Sequence, residues 1–399
     1  MITSNTQVRV LAVSSAAMII VTIAGWMAGG WRVGTGSLIG IVAGFALYHA
    51  SFGFTAAWRH FLRERRGAGL RAQFLLIVVT IAFAFPLMQF GRDYGLPVGG
   101  FVFPFGVSVA IGAFMFGVGM QLGNGCGSGT LFTLGGGSSR MLVTLAAFIA
   151  GSLAATAHLP FWNSLPKEKG FSLPAHFGVV GAFILTAGAL GLIALLSIWL
   201  EKRTHGALET PRKTGSFLAG PWSMVLGALM IAVVSIATLI VLGRPWGITS
   251  GFALWGAKIA HALGVDVLSW EYWQWQKAAV VERSVFADAT SVMNFGIMAG
   301  AMAAAALAGE FAPKRSITAR EAATAIAGGL LMGYGARLAF GCNIGAYLGG
   351  IISGSVHGWV WFAFALAGSF AALPLRRLAG MDPAKPPQVA APVISTMQK

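Results

Sequence analysis

Hydrophobic positions in this chain come in long unbroken runs. They show neither the alternation of strands nor the narrow apolar stripe of a surface helix. Windows of about 19 residues place apolar segments near 8–28, 36–57, 70–90, 101–122, 141–160, 177–199, 217–242, 247–263, 290–309, 323–340 and 357–375. About 20 helical residues cross a bilayer. Lipid accepts only helices or closed barrels, because every backbone polar group must be paired internally. Runs this long lack the alternation of a barrel strand. The pattern predicts an all-α polytopic membrane protein. The first run, Val8 to Met27, has no small-residue cleavage pattern and reads as a span rather than a signal peptide.

The polar stretches between the runs are basic, and they set the direction of each span. Arg59, Arg63, Arg65, Arg66 and Arg71 form one cluster. Lys202-Arg203 and Arg212-Lys213 flank a second loop, Lys314, Arg315 and Arg320 form a third, and Arg376-Arg377 begin the C-terminal tail. Loops rich in Lys and Arg stay inside. With 58–71 inside, 91–99 falls outside, 124–140 inside, 161–176 outside and 201–216 inside. The count then depends on 247–263. A full crossing there would put Lys314 to Arg320 outside. The segment is short and carries Lys258, so it is predicted to be re-entrant, which returns that loop and the tail to the inside. This Lys/Arg bias points to a bacterial inner (cytoplasmic) membrane.

Composition narrows the classes further. Of 399 residues, 56% are hydrophobic and 10% charged, against about 25% charged in a soluble domain. A soluble globule and a disordered chain are both excluded. Two cysteines exclude a disulfide scaffold, and 55 glycines without a three-residue period exclude collagen. The net charge of +15 sits in the loops, without zinc-finger spacing or an RNP-like string, so nucleic acid is not an expected partner; the bilayer is.

The sequence repeats itself. At a shift of 216, Gly117, Gly119, Gly125 and Cys126 fall on Gly333, Gly335, Gly341 and Cys342. At 217, Ala150-Gly151-Ser152 falls on Ala367-Gly368-Ser369, and at 207, Gly40 to Tyr48 falls on Gly247 to Trp255. The span before Cys126 runs inward and the span before Cys342 outward, so two inverted repeats are expected, as in many transporters. The corresponding layout is an N-terminal span (1–35), a first repeat (36–200), a cytoplasmic linker (201–216), a second repeat (217–375) and a polar tail (376–399).

Each cysteine lies where a helix should break. Gly123 to Gly129 and Gly341 to Gly345 are too glycine-rich for a helix interior. Non-helical backbone at membrane depth survives where it lines a cavity or is buried in protein. Cys-bearing re-entrant or broken-helix loops are therefore expected to meet near the membrane centre. Their free N–H groups and the helix starts that follow favour an anion. No His, Cys or carboxylate cluster accompanies the thiols, so neither a metal nor a cofactor is expected. CxxC is absent as well. A thiol is a weak donor with a soft sulfur, which suits an anion that itself carries sulfur.

Candidate binding or relay residues are Cys126 and Cys342, with Gly125, Gly127, Gly341 and Asn343 beside them, Arg337 and its repeat partner Gln121, and Lys258. Arg337 and Lys258 are cations within apolar segments and hence functional candidates. His158, His176 and His357 fall at predicted ends, and Trp270 to Trp275 reads as an interfacial aromatic belt.

At these residues the chain resembles the YeeE/YedE (sulfur-transport domain) family. The resemblance rests on Leu122-Gly-Asn-Gly-Cys126-Gly-Ser-Gly-Thr130-Leu131, Gly335-Ala-Arg-Leu-Ala-Phe-Gly-Cys342-Asn-Ile-Gly345 and Ser355-Val-His-Gly-Trp359-Val-Trp-Phe362. It is joined by Gly53 to Arg59 and Gly67 to Gln73, and covers roughly 35–375. It implies thiosulfate uptake through a narrow central path by successive thiol contacts, beside a TusA-like cytoplasmic sulfurtransferase. Cys126 and Cys342 match two of the family's three relay cysteines. The third falls in a Phe-Cys-Phe-like string that here reads Phe52-Gly53-Phe54. Alternatives are transport of another sulfur or selenium species, or a membrane-embedded persulfide-forming enzyme.

Overall fold

A computed structural model of the protein describes residues 5–276, 279–313 and 316–382. Lys314, Arg315 and most of the tail lie outside the described residues. Helices account for most of the rest: α1 (Asn5–Ala50), α2 (Phe54–Glu64), α3 (Ala68–Phe90), α4 (Val107–Gly123), α5 (Gly127–Gly135), α6 (Ser139–Ser164), α7 (Leu173–His205), α8 (Met224–Leu242), α9 (Thr249–Ala262), the short α10 (Glu271–Trp275) and α11 (Ala279–Glu282), α12 (Ala289–Ala308), α13 (Ala319–Leu338), α14 (Gly349–Ile352) and α15 (Val356–Leu378). One antiparallel pair, Phe105–Gly106 with Lys167–Glu168, ties the loop before α4 to the loop after α6.

The ends of these helices follow local chemistry. Ser223, Asp288 and Thr318 cap the starts of α8, α12 and α13 by accepting from a backbone N–H of the first turn. Glycines in left-handed conformation, Gly206, Gly243 and Gly309, end α7, α8 and α12.

Although continuous in sequence, α1 is not one rod. Gly30 takes φ 77°, ψ −176°, and the Ser37 hydroxyl donates to Thr22 Oγ1 at 2.8 Å. Fifteen residues apart on a straight helix, these groups would stand about 22 Å away from one another. The chain therefore reverses at Gly30 into two antiparallel arms, as the separate apolar runs at 8–28 and 36–57 predict. Among the described residues, nine stretches are long and apolar enough to cross a membrane, the first of them spanning 5–64 and containing this reversal. α9 is not among them. Its 14 residues reach only about 21 Å, short of the ~30 Å hydrocarbon core.

Glycine lets the central helices touch backbone to backbone. α4 packs on α13 and α15, and α13 on α4 and α6. A side chain on Gly117 would strike the Ala365 carbonyl, and one on Gly333 the Phe148 carbonyl. Without lipid-excluding hydrophobic gain between helices, such close approach is what holds them together.

α7 runs through His205, into the stretch expected as a linker. α15 runs through Leu378, which places Arg376 and Arg377 in its last turn rather than in a tail. In the 207-residue register, Gly40 to Tyr48 lies within the second arm of α1, and its counterpart enters α9 from Thr249 onward, with Gly247 and Ile248 just before that helix.

Candidate functional site

Two helix breaks carry the cysteines, and Gly127 of the first lies close to Cys342 of the second. After α4 the chain passes through Asn124 in left-handed conformation (φ 63°), and Cys126 then caps α5 with φ −88°, ψ −167°. After α13 it passes through Phe340 (φ 61°), and Cys342 caps the following π-helical turns, Asn343–Leu348, with φ −101°, ψ −167°. Cys126 O accepts from Thr130 N at 2.8 Å and Cys342 O from Ala346 N at 2.8 Å. Phe340 is a bulky residue in a conformation that usually needs glycine or asparagine. Stacking on Phe103, with ring centroids 4.6 Å apart, holds it there.

Both cysteines are free and fully buried. A methyl group on Gly127 would stand 3.1 Å from Cys342 Sγ, so the Cys342 thiol lies against the first loop. The Cys126 thiol lies 3.4 Å from Ser128 Oγ. Asn343, next to Cys342, is buried with neither side-chain oxygen nor nitrogen hydrogen-bonded, and the Tyr347 hydroxyl is likewise unpaired. Each such group costs about 1–3 kcal/mol if nothing binds it.

On one side of the breaks opens a cavity of about 670 Å³ whose lining includes Gly341, Gly345, Phe340, Arg337, Arg244, Tyr272 and Thr249. Arg337 donates to the Tyr272 hydroxyl at 3.0 Å and to Thr249 Oγ1 at 3.3 Å, while its Nε has no partner. Arg244 donates to Thr290 Oγ1 at 3.0 Å. Burial lowers the Arg244 pKa from its ordinary value and the Asp288 carboxylate opposes that shift. The guanidinium starts so far above neutrality that it remains a cation. On the opposite side a second cavity, about 490 Å³, is lined in part by Asn124, Arg140, Tyr48 and Glu310.

The sequence candidates separate on this geometry. Cys126, Cys342, Gly127, Gly341 and Asn343 come together at the breaks, with Gly125 immediately before Cys126. Arg337 faces the larger cavity. Gln121 is buried one turn before the first break, where its Nε2 donates to Thr55 O at 3.3 Å and its Oε1 is unpaired. Lys258 stands apart, its ammonium on the carbonyls of Val281 and Arg283. It binds the segment after α10 to α9, which accounts for a cation there without a ligand.

Two readings of aromatic and histidine residues are corrected. Trp270 to Trp275 is not merely a belt, since Tyr272 holds Arg337 and Trp273 is buried. His357 is no interface residue. It is fully buried, bonded to Ser355 Oγ at 2.8 Å and packed on Phe103. Arg244, Tyr272, Thr249 and Tyr347 escaped the sequence reading. Arg244 follows the last apolar residues of α8 and could have been picked out as a second cation beside a span. The others carry no signal until the chain is folded.

The profile of the family described as sulphur transport matches residues 49–371. The probable transporter YedE of Salmonella typhimurium is 31% identical over 163 residues, 39% of this chain and 40% of its own length. This chain thus aligns with only about two fifths of that relative. The thiosulfate transporter TsuA of Spirochaeta thermophila is 28% identical over 365 residues, 84% of this chain and 96% of its own length. TsuA of Escherichia coli is 24% identical over 354 residues, covering 85% and 93%.

Proposed function

We propose, since this chain belongs to the sulphur-transport family, that it carries thiosulfate or a related sulfur-containing anion inward across the membrane between the thiols of Cys126 and Cys342. The observation that carries this reading is the pair of buried cysteine loops in contact at the end of a cation-lined cavity. The name of the TsuA relatives supports thiosulfate as the anion, and the transporter names of all three relatives favour translocation over catalysis.

The steps follow from the groups present. An anion enters the larger cavity, where Arg337 and Arg244 attract it. Coulomb attraction between unit charges at 4 Å is worth about 4 kcal/mol at an effective dielectric of ~20. Shedding its water, it meets helix starts whose N–H groups have no partner in the preceding turn. The thiols then donate weak hydrogen bonds while their polarizable sulfurs contact the anion's own sulfur. No bond is made or broken, so the anion leaves toward the second cavity unchanged. A TusA-like sulfurtransferase on the cytoplasmic side is the proposed acceptor, and the bacterial inner membrane the proposed location, with the arginine-rich loops inside.

Inverted repeats are part of the proposal. Their support is an exchange of matched contacts. Ser152 Oγ donates to Gly333 O at 3.3 Å and Ser369 Oγ to Gly117 O at 3.3 Å. Each pair maps onto the other at the 216–217 shift.

Counterflow of labelled thiosulfate in proteoliposomes tests the function. The purified protein should equilibrate unmodified thiosulfate across the membrane. Consumption of thiosulfate, or no exchange above empty liposomes, would overturn the reading.

A further inference from the structure

The last turn of α4 points its carbonyls at a group of guanidinium ions. Gln121 O accepts from Arg376, and Leu122 O accepts from Arg140 at 2.8 Å. These cations cap a helix C-terminus, where the dipole favours them. Arg59 reaches the same place, donating to Asn124 Oδ1 at 3.2 Å. Arg63 lies one helical turn beyond Arg59 on α2.

Among the described residues, Asp382 is the carboxylate that ion-pairs with Arg63 and Arg376. Asp382 Oδ1 lies 2.8 Å from Arg63 Nη1 and 3.1 Å from Arg376 Nε. The Asp382 side chain is 5% exposed, and its other oxygen, Oδ2, is buried without a partner. A carboxylate that used all its capacity would be satisfied on both oxygens. Three guanidinium groups, those of Arg59, Arg63 and Arg376, gather round this one carboxylate, an excess of positive charge that a larger anion would balance better.

We propose that Arg63 and Arg376, with Arg59 beside them, form an oxyanion-binding site below the first cysteine break, and that Asp382 occupies it as an internal competing ligand. A tetrahedral oxyanion offers more acceptor oxygens than a carboxylate, enough to bond Arg59 as well as Arg63 and Arg376. The site lies two residues from Cys126 along the chain, through Asn124, on the face of the arginine-rich loops. It rests on the transport reading only for the identity of its natural ligand, thiosulfate on its way out. Displacement of Asp382 by the incoming anion would accompany each passage.

The probe is sulfate, which shares the oxyanion charge and lacks the sulfane sulfur, so that the thiols contribute little. Thermal stabilisation of the purified full-length protein is measured against sulfate at constant ionic strength. Asp382→Asn should reach half-protection at about tenfold lower sulfate than the unaltered protein, the order set by one charge-assisted contact. Arg63→Gln in the Asp382→Asn background should abolish that gain, and this pair controls for general salting-out by sulfate. Asp382→Ser repeats the test if the asparagine variant does not fold. Equal half-protection in the unaltered protein and both Asp382 variants would overturn the proposal. Counterflow separates the two readings. A gain in sulfate affinity without thiosulfate exchange keeps the site and removes transport; exchange without the gain does the reverse.

Discussion

Cys342 Sγ lies directly over Gly127, the residue that follows Cys126, so close that a methyl group there would come within 3.1 Å of the sulfur. The thiol of one break thus rests on the backbone of the other. Gly127→Ala should force the loops apart by a few tenths of an ångström while leaving the helices intact. We expect counterflow to fall at least about tenfold, the scale on which a small misplacement acts, with normal yield of folded protein. Unchanged exchange would show that the two loops need not touch.

Cys126→Ala and Cys342→Ala each remove a thiol from a fully buried position without adding volume. Each should abolish most thiosulfate exchange with little loss of folded protein. The double variant is decisive: exchange at the unaltered rate in proteoliposomes would end the case for thiol contacts.

Arg337 holds Tyr272 and Thr249 and faces the larger cavity. Arg337→Gln keeps a hydrogen-bonding group and removes the charge. Uptake at limiting thiosulfate should fall by about tenfold or more, since a lost charge–charge contact of even 1.4 kcal/mol is worth that factor, and should recover in part at saturating substrate. Tyr272→Phe leaves the charge and should cost less, about 1 kcal/mol or roughly fivefold in affinity. Initial rates over a range of concentrations distinguish the two.

Gly53 stands where the resemblance places a third cysteine. Its φ of −103° and ψ of 115° suit any residue, and a Cβ there would meet nothing nearer than Ala56 Cβ at 3.7 Å. The positive φ belongs to Ser51 instead. Gly53→Cys should therefore fold normally and improve thiosulfate uptake at low concentration by about fivefold, the value of one weak contact. Gly53→Ala supplies the steric control. If Ala and Cys variants behave alike, a thiol at this point is irrelevant.

Gly117 and Gly333 carry matched packing roles, against Ala365 and Phe148. Gly117→Ala and Gly333→Ala should each lower the yield of folded protein in detergent sharply and to a similar extent, because the struck atoms are backbone and cannot turn aside. Wild-type thermal stability in either would contradict the close approach.

The amino-acid sequence by itself settled what depends on local pattern. Apolar runs of about 20 residues, long enough to cross the hydrocarbon core, give spanning helices whatever their neighbours are. Basic loops give an expected orientation, and glycine-rich strings at Cys126 and Cys342 give breaks, because glycine weakens a helix wherever it stands. The register of the two cysteine blocks was also legible, since matching residues need no coordinates. What only the tertiary structure decided are relations between distant segments. Nothing local says that Lys258 is spent on the carbonyls of Val281 and Arg283, while Arg337 reaches 65 residues back along the chain to Tyr272. His357 and Arg376 look like end residues in one dimension and are buried in three, because α15 is pressed against α4 and its partners. Hydropathy reads the cost of leaving water, residue by residue. A hydrogen bond or ion pair between remote side chains adds a term that no window contains, and it is this term that assembles the site.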